Sequence, residues 1–301
     1  MLAERGVDVD VVRSGEIDHW VRRIEEYAPQ VVVSDLPFVP ARYSELLLTL
    51  PAKVITLVDS LADIDPETAR LDTVVSLMDQ KLKVPHNRYH GGPSFAAFHP
   101  SVLRRIGRAK PRPQRAGPLR LLLAFGTQDP LRLSSRALEA LAGAHEHLRR
   151  VTVVLPPAHQ DRRFQALAAR FKPRIRVLSS PSDRLGELLA GADAALVSGG
   201  ITAYEASALG VPAVVLCQND RELARMRLFE RSGSIVLLGR GDEVSPAQLA
   251  RVAARLARDP GLRARLSAAG LRLSDGQGIR RISGLIAELL ARPGALRAGA
   301  R

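Results

Sequence analysis

The sequence is poor in cysteine, in aromatic residues and in long apolar segments. Its one cysteine, Cys217, excludes a disulfide within the chain and stands in an apolar run, where a small buried side chain is expected. No apolar run approaches the roughly 20 residues that a membrane-spanning helix needs. Glu4, Arg5 and Asp8 stand where a secretory signal peptide would be apolar. These absences predict a cytoplasmic protein without a membrane span.

Lysine is also scarce, although the chain is strongly basic. Only five of the 44 basic residues are lysine, the formal net charge is +13, and the arginines are spread along the chain. Aromatic residues make up 4% of the chain, and no stretch interleaves them with basic residues as single-stranded nucleic-acid sites do. We therefore expect a small anionic ligand as partner and no nucleic acid.

What the sequence does contain is an alternation of short β-rich runs with helical patterns, which is typical of α/β proteins with parallel sheets. The segment AKPRPQRAGP at 109–118 carries three prolines, which neither a helix nor a central strand accommodates, and it predicts a linker. The predicted domains are thus residues 1–108 and residues 119–301, the latter including C-terminal helices. Strands are predicted at 7–12, 30–35, 53–58, 72–77, 119–125, 149–155, 174–179, 192–198, 212–216 and 234–238.

Both domains are predicted to be Rossmann-like, with ligands bound beyond the carboxyl ends of the strands and in a cleft between the domains. The chain opens with MLAERG, which resembles the end of a helix, so the first domain is expected to lack its first strand. A strand, loop and helix correspond to roughly 30 residues. An unfilled sheet position exposes strand edges, which predicts a tendency to form homo-oligomers.

A double glycine follows the predicted strand at 192–198 and precedes a helical pattern. Free backbone N–H groups at such a helix start attract phosphate, and Gly199 and Gly200 would allow a close approach. A tight strand-to-helix turn explains the same residues. Glu205 is equally ambiguous, because Thr202-x-x-Glu205 fits a capping box, while a carboxylate one turn below a phosphate also suits ribose hydroxyls.

Several segments resemble a known family. These are FGTQDPLRLSSRALEAL (125–141), ADAALVSGGITAYEASALGVPAVVL (192–216), QND (218–220) and DGQGIRRI (275–282), with a looser match at GGPSFAAFHPSVL (91–103). In this order they are similar to the UDP-sugar hydrolase of pseudaminic acid biosynthesis and the spore-coat polysaccharide proteins. That family is related to glycosyltransferases such as the lipid II N-acetylglucosaminyltransferase. The resemblance implies a glycosyltransferase-B-type (GT-B) fold.

The resemblance also implies a nucleotide site in the second domain. Ser198, Gly199, Gly200, Ile201 and Thr202 would hold the diphosphate of UDP. Glu205 would hold the ribose, and Gly126 would let the site close over the phosphates. Further residues would lie on the sugar side, and these are Asn219, Asp220, Asp35 and Asp59. The implied reaction is attack of water on the anomeric carbon with release of UDP, without a metal or other cofactor.

The departures from the family concern catalysis. Members carry a Gly-x-Gly-His loop after their first strand, and the chain as printed begins downstream of it, so its catalytic base is unknown. His86, His90 and His99 are weak substitutes, since histidines in loops are commonly structural. Hydrolysis of a UDP-sugar is the leading hypothesis. Glycosyl transfer from a nucleotide sugar is the first alternative, and a non-catalytic nucleotide-sugar-binding protein is the second.

Overall fold

The computed structural model describes residues 17–35, 41–58, 72–76, 88–109, 116–172, 174–179 and 182–291. The pattern of contacts between Cα atoms divides the chain into two compact units. The first contains the described residues up to Gly91 together with those from Ile282 onward. The second runs from Gly92 to Arg281.

The first unit contains a four-stranded parallel sheet in the order β1-β2-β3-β4. Trp20 packs edge-to-face on Tyr43, with ring centroids 5.9 Å apart, and Leu47, Val54 and Val74 are fully buried beside them. The elements are α1 (Ile17–Tyr27), β1 (Val31–Asp35), α2 (Ala41–Thr49), β2 (Lys53–Val58), β3 (Thr73–Ser76) and β4 (Arg88–Gly91).

The strands at 30–35, 53–58 and 72–77 are confirmed to within one or two residues, because each is a short apolar run that the sheet buries. Strand β4 was not predicted, since RYHG lacks both the length and the β-branched residues of its neighbours. The strand predicted at 7–12, and with it the expectation of a missing first strand, lies outside the described residues.

The second unit contains a six-stranded parallel sheet in the order β10-β9-β8-β5-β6-β7. All six strands were predicted, and each begins and ends within two residues of the predicted bounds. The strands are β5 (Leu119–Ala124), β6 (Leu148–Leu155), β7 (Ile175–Ser179), β8 (Ala194–Val197), β9 (Ala213–Cys217) and β10 (Ile235–Arg240). The helices are α3 (Pro100–Ile106), α4 (Leu133–Leu141), α5 (Arg162–Ala169), α6 (Leu185–Gly191), α7 (Ile201–Ala208), α8 (Asp220–Arg231), α9 (Pro246–Arg258), α10 (Pro260–Leu271) and the start of α11 (Gly278–Ala291).

Side chains that alternate along each central strand bury both faces of this sheet. Leu121, Leu123 and Leu196 belong to the core on one face, whereas Leu122 and Val197 belong to the core on the other. Helices on each face cover these apolar side chains, which is the doubly wound arrangement.

The segment before the predicted linker packs on the second unit. The Gly186 N–H donates to Ser101 Oγ at 3.3 Å, and Arg281 Nη1 donates to the Ser94 carbonyl at 2.9 Å. Phe98 and Val102 are buried in the core of that unit. The boundary between the two units therefore falls between Gly91 and Gly92 instead of at the predicted linker at 109–118. It falls there because the apolar side chains of the segment before that linker are buried in the core of the second unit.

Helix α11 begins in the second unit, and from Ile282 onward it belongs to the first, where Lys53 Nζ donates to the Leu289 carbonyl at 2.7 Å. Among the residues that the structure describes, no helix is both long and apolar enough to cross a bilayer.

Candidate functional site

A cavity of about 510 Å³ opens at the carboxyl end of the second sheet. It lies where the strand order changes direction. After β5 the chain continues to β6 and β7 on one side, and it returns to β8 on the other. The loops that follow β5 and β8 therefore part at this point and leave a crevice, which is where open α/β sheets bind ligands. Every residue that lines the cavity belongs to the second unit.

The two glycines of the loop after β8 have different surroundings. A Cβ on Gly199 would lie 2.7 Å from Glu222 Cβ, 3.0 Å from Met226 Cγ and 3.1 Å from Cys217 Sγ, so this glycine is required by packing against α8. Gly200 lines the cavity, and a Cβ there would meet nothing closer than Ser198 Oγ at 3.7 Å. Only the second glycine thus presents its backbone to a ligand.

Helix α7 starts directly from this loop. Gly200 is its N-cap residue, with extended backbone and no side-chain cap, and Ile201 and Thr202 form the first turn beside the cavity. The N–H groups of the first turn of a helix have no partner within the helix, and the helix dipole makes this end positive. The arrangement suits the negative charge of a phosphate group.

Glu205 does not form the capping box that its spacing allowed. Helix α7 begins one residue before Thr202, so Thr202 is inside the helix instead of at its cap. The Glu205 carboxylate accepts the backbone N–H of His99, and its Oε2 has no hydrogen-bond partner. The side chain is 2% exposed, and burial raises its pKa to about 7. A buried carboxylate with an unused oxygen beside a cavity can accept hydroxyl groups of a ligand.

The loop after β5 is shaped by Asp129. This buried residue has a left-handed backbone (φ 42°), and its carboxylate accepts the N–H groups of Leu133 and Ser134 at the start of α4, at 2.8 and 3.0 Å. Gln218 Nε2 also donates to Asp129, at 2.9 Å. These bonds leave Gly126 exposed at the rim of the cavity with φ 91°, a conformation that glycine adopts readily.

The end of β9 contributes two polar residues that the sequence pattern singled out. Asn219 lines the cavity and caps α8, since its side chain accepts the N–H of Glu222 at 3.0 Å. Asp220 points away and pairs with Arg240 at 3.3 Å, with 80% of its side chain exposed. Asn219 is therefore beside the cavity, whereas Asp220 is on the surface of α8.

Glu222 is a residue of this site that the sequence analysis missed. Its Oε2 accepts the backbone N–H of Gly199 at 2.9 Å and that of Gln218 at 2.8 Å, which ties the loop after β8 to the end of β9. The one signal in the sequence is Asn219-x-x-Glu222, which matches a capping box. Only half of that box forms, because the carboxylate bonds to neighbouring backbone instead of to its own N-cap.

The remaining predicted residues are dispersed. His99 lines the cavity and caps α3, with Nδ1 2.9 Å from Ser101 Oγ. His90 lies on β4, and Asp35 ends β1, both in the first unit. His86 and Asp59 lie outside the described residues. The described part of the chain contains no group of three or more histidine, cysteine or acidic residues arranged to hold a metal ion. Whether the site works without a metal stays a prediction.

The sequence comparisons point to sugar-transfer enzymes. The profile of the lipid-A-disaccharide synthetase family matches residues 109–224. The chain is 28% identical over 206 residues to the spore coat polysaccharide biosynthesis protein SpsG of Bacillus subtilis (strain 168), covering 68% of this chain and 59% of SpsG. It is 30% identical over 213 residues to the UDP-N-acetylglucosamine--N-acetylmuramyl-(pentapeptide) pyrophosphoryl-undecaprenol N-acetylglucosamine transferase of Sorangium cellulosum (strain So ce56), covering 67% of this chain and 51% of that enzyme. The chain thus spans between half and three fifths of the length of these curated relatives.

Solved structures share the architecture. MurG of Acinetobacter baumannii superposes with a TM-score of 0.71 at 14% identity, over 95% of this chain and 87% of that protein. The S. aureus protein MnaA, in a structure with UDP, gives a TM-score of 0.65 at 11% identity, over 96% of this chain and 84% of MnaA. At these identities the likeness establishes the fold.

These comparisons correct the leading functional hypothesis. The prediction of UDP-sugar hydrolysis is wrong, because the relatives whose names state a reaction are glycosyltransferases, and the first alternative agrees with them. A shared fold and nucleotide site do not fix the reaction, so the resemblance to one branch of the family did not predict it correctly. The chain therefore has the GT-B-type fold, and GT-B glycosyltransferases are among its sequence relatives.

Proposed function

We propose that this chain is a glycosyltransferase that takes its sugar from a nucleoside diphosphate donor, with UDP-sugars as the donor class to test first. The observation that carries the proposal is the cavity at the switch point of the second sheet. It combines the start of α7, the accessible Gly200 and the unpaired Glu205 Oε2. A nucleotide with a diphosphate and a ribose can use all three features at once.

The cavity matches such a ligand part by part. The diphosphate would lie against the backbone N–H groups at the start of α7, where the helix dipole supplies positive potential. Glu205 would accept the ribose hydroxyls through the oxygen that has no protein partner. The wall of the cavity is largely apolar and suits the flat face of a base; it includes Phe125, Val154, Leu185 and Ile201.

In the proposed reaction an acceptor hydroxyl attacks the anomeric carbon of the donor. The bond between that carbon and the diphosphate oxygen breaks, its electron pair stays on the diphosphate, and the acceptor proton passes to a base. The N–H groups at the start of α7 stabilise the charge that develops on the leaving diphosphate. This contribution would not require a metal ion.

Relatives and structural neighbours support the assignment to a nucleotide sugar. The Sorangium cellulosum relative is an N-acetylglucosamine transferase by name. The spinosyn rhamnosyltransferase SpnG, which shares the fold with a TM-score of 0.62, has been solved with thymidine diphosphate. The binding test therefore has to show which nucleobase the donor carries, uracil or thymine.

Calorimetric titration of the full chain with UDP, thymidine diphosphate and uridine tests the proposal. We expect UDP to bind more tightly than uridine by at least about tenfold, because the diphosphate contacts the start of α7. Incubation with a UDP-sugar and cell-envelope acceptors should then release UDP in step with glycosylation. Equal affinity for uridine and UDP, or no binding of either diphosphate at millimolar concentration, would contradict the proposal.

A further inference from the structure

Glu222 stands in the first turn of α8 and lines the cavity of the second unit. One oxygen of its carboxylate, Oε2, accepts two backbone N–H groups from two different loops. These are Gly199, at 2.9 Å, and Gln218, at 2.8 Å. The side chain thereby joins the loop after β8 to the end of β9, at the point where the two loops form the floor of the cavity.

Packing around Gly199 shows how closely this junction is fitted. Any Cβ on Gly199 would collide with Glu222 Cβ and would crowd Met226 and Cys217. The loop is therefore pressed against α8, and the Glu222 carboxylate bonds the N–H group of the residue that is pressed there. Gly200 and the first turn of α7 continue directly from this anchored residue, so their position depends on the junction.

The same carboxylate brings negative charge to the cavity. Burial raises the pKa of Glu222, and the two backbone N–H groups act in the opposite direction. Other ionisable side chains line the same cavity or interact with Glu222 electrostatically. They are Glu205 on α7, Cys217 on β9, Asp129 in the loop after β5, His99 before α3 and Arg225 on α8 itself. Among these residues, Arg225 supplies the positive charge that lowers the pKa of Glu222.

We infer that Glu222 is a positioning residue for the phosphate-binding loop. Its two hydrogen bonds hold Gly199, and through it Gly200, in place, while its negative charge repels the bound diphosphate. The inference rests on the proposed function, because it concerns the same cavity. It has a specific consequence. When Glu222 is ionised, the loop is held but the charge repels the ligand, and when Glu222 is protonated, the loop is still held by the neutral oxygen and the repulsion disappears.

Two variants separate the hydrogen bonds from the charge. Glu222→Gln keeps an oxygen that can accept both N–H groups and removes the charge. Glu222→Ala removes both. Glu139→Gln, on the exposed face of α4, changes the net charge equally and is the matched control. The probe is UDP-N-acetylglucosamine, whose diphosphate diester keeps a constant charge from about pH 5.5 to about pH 8.5.

For Glu222→Gln we expect binding at about pH 8.5 to be roughly 5- to 50-fold tighter than in the wild type, the range for one repulsive charge pair near a protein surface. This ratio should fall toward one as the pH is lowered, because the wild-type carboxyl becomes protonated. Uridine, which has no phosphate, should bind both proteins equally. Glu222→Ala should weaken binding of the UDP-sugar about tenfold or more at every pH, because the loop loses its anchor.

Hydrogen exchange of the free protein measures the positioning without any nucleotide. Peptides that cover residues 195–203 should exchange faster in Glu222→Ala than in the wild type, and at the wild-type rate in Glu222→Gln. Melting temperatures of all variants show whether the rest of the unit stays folded. If Glu222→Ala is too unstable to study, Glu222→Gln and its pH profile still decide the inference.

The outcomes are distinguishable. A Glu222→Gln protein that binds the UDP-sugar no more tightly than the wild type at about pH 8.5 would overturn the role of the charge. Unchanged exchange in Glu222→Ala would overturn the role of the hydrogen bonds. If the wild type and Glu222→Gln both fail to bind UDP or the UDP-sugar, the proposed function fails, while the exchange measurement still tests the positioning.

Discussion

The backbone N–H of His99 donates a hydrogen bond to the carboxylate of Glu205, although the two residues lie far apart in the sequence. The bond joins the segment that leads into α3 to the buried middle of α7. It occupies one part of the carboxylate and leaves Oε2 without a protein partner, beside the cavity. Glu205 is thus held in a fixed orientation with one oxygen available to a ligand.

This geometry predicts that Glu205→Gln weakens UDP binding by roughly 1.5 to 3 kcal/mol at about pH 8, the range for hydrogen bonds to a charged group. The loss of affinity caused by Glu205→Gln should be smaller for 2′-deoxy-UDP than for UDP. The deoxy ligand lacks one of the hydroxyls that Glu205 is expected to bind, so both the wild type and the variant bind it without that hydrogen bond. Calorimetry with both ligands measures the two differences, and Glu139→Gln is the control. Equal losses for the two ligands would remove Glu205 from ribose binding.

The raised pKa of Glu205 predicts a pH-dependent gain in stability for the same variant. The ordinary value of 4.5 rises to about 7 in the folded protein, so the folded state holds the proton more tightly than the unfolded state does. The stability contributed by the neutral carboxyl is complete below about pH 4.5 and is lost as the pH rises to about 7. Glu205→Gln without ligand should therefore be more stable than the wild type by up to about 3 kcal/mol at pH 8.

Urea denaturation at about pH 5 and about pH 8 checks this expectation. At the lower pH the difference should be much smaller, since most of the stability contributed by the neutral carboxyl is still present there. A stability difference that is the same at both pH values would mean that the carboxyl is not the group that titrates.

The two glycines after β8 should respond differently to alanine. Gly199→Ala introduces a Cβ 2.7 Å from Glu222 Cβ and should cost about 1 to 3 kcal/mol of stability through overpacking. Gly200→Ala has room and ordinary backbone angles, so its stability should stay within about 1 kcal/mol of the wild type. Its methyl group faces the cavity, however, and UDP affinity should fall about tenfold or more.

Melting curves and UDP titrations of both alanine variants distinguish the two roles. Weak UDP binding by a stable Gly200→Ala protein would support a phosphate-binding site at the second glycine. Full affinity in that variant would place the diphosphate elsewhere.

Asp129 should matter chiefly for stability. Asp129→Ala removes the acceptor of the buried Leu133 and Ser134 N–H groups and one of the two acceptors of Gln218 Nε2, which should cost about 2 to 4 kcal/mol. Asp129→Asn retains one acceptor oxygen and should cost less than half as much. Denaturant titration of both variants gives the comparison, and equal losses would show that the carboxylate charge, not its hydrogen bonds, stabilises the loop.

Removal of divalent ions should leave nucleotide binding unchanged, because the start of α7 is expected to supply the positive potential. Calorimetry with UDP in the presence of EDTA, and again with added Mg²⁺, measures this. An affinity that requires Mg²⁺ would show that the diphosphate is bound through a metal instead.

The amino-acid sequence by itself determined the elements of the second unit. Runs such as LRLLLA at β5 and AVVLC at β9 are short, apolar and bounded by glycine or proline, and a parallel sheet buries such runs wherever they occur. The spacing of Gly199, Gly200 and Glu205 also marked these residues as candidates for a nucleotide site. The sequence left open whether Glu205 capped a helix or faced a ligand, because both roles use the same residue types at the same positions.

The tertiary structure decided what those residues touch. Glu222 resembles a capping residue in the sequence, and only the contact between two separate loops shows that its carboxylate holds Gly199. The segment at 92–106 looked like the end of the first domain, yet Phe98 and Val102 are buried in the second. Local sequence patterns indicate which side chains are buried, since that depends on each segment alone. Which partners they meet depends on distant segments, and these come together only when the chain folds.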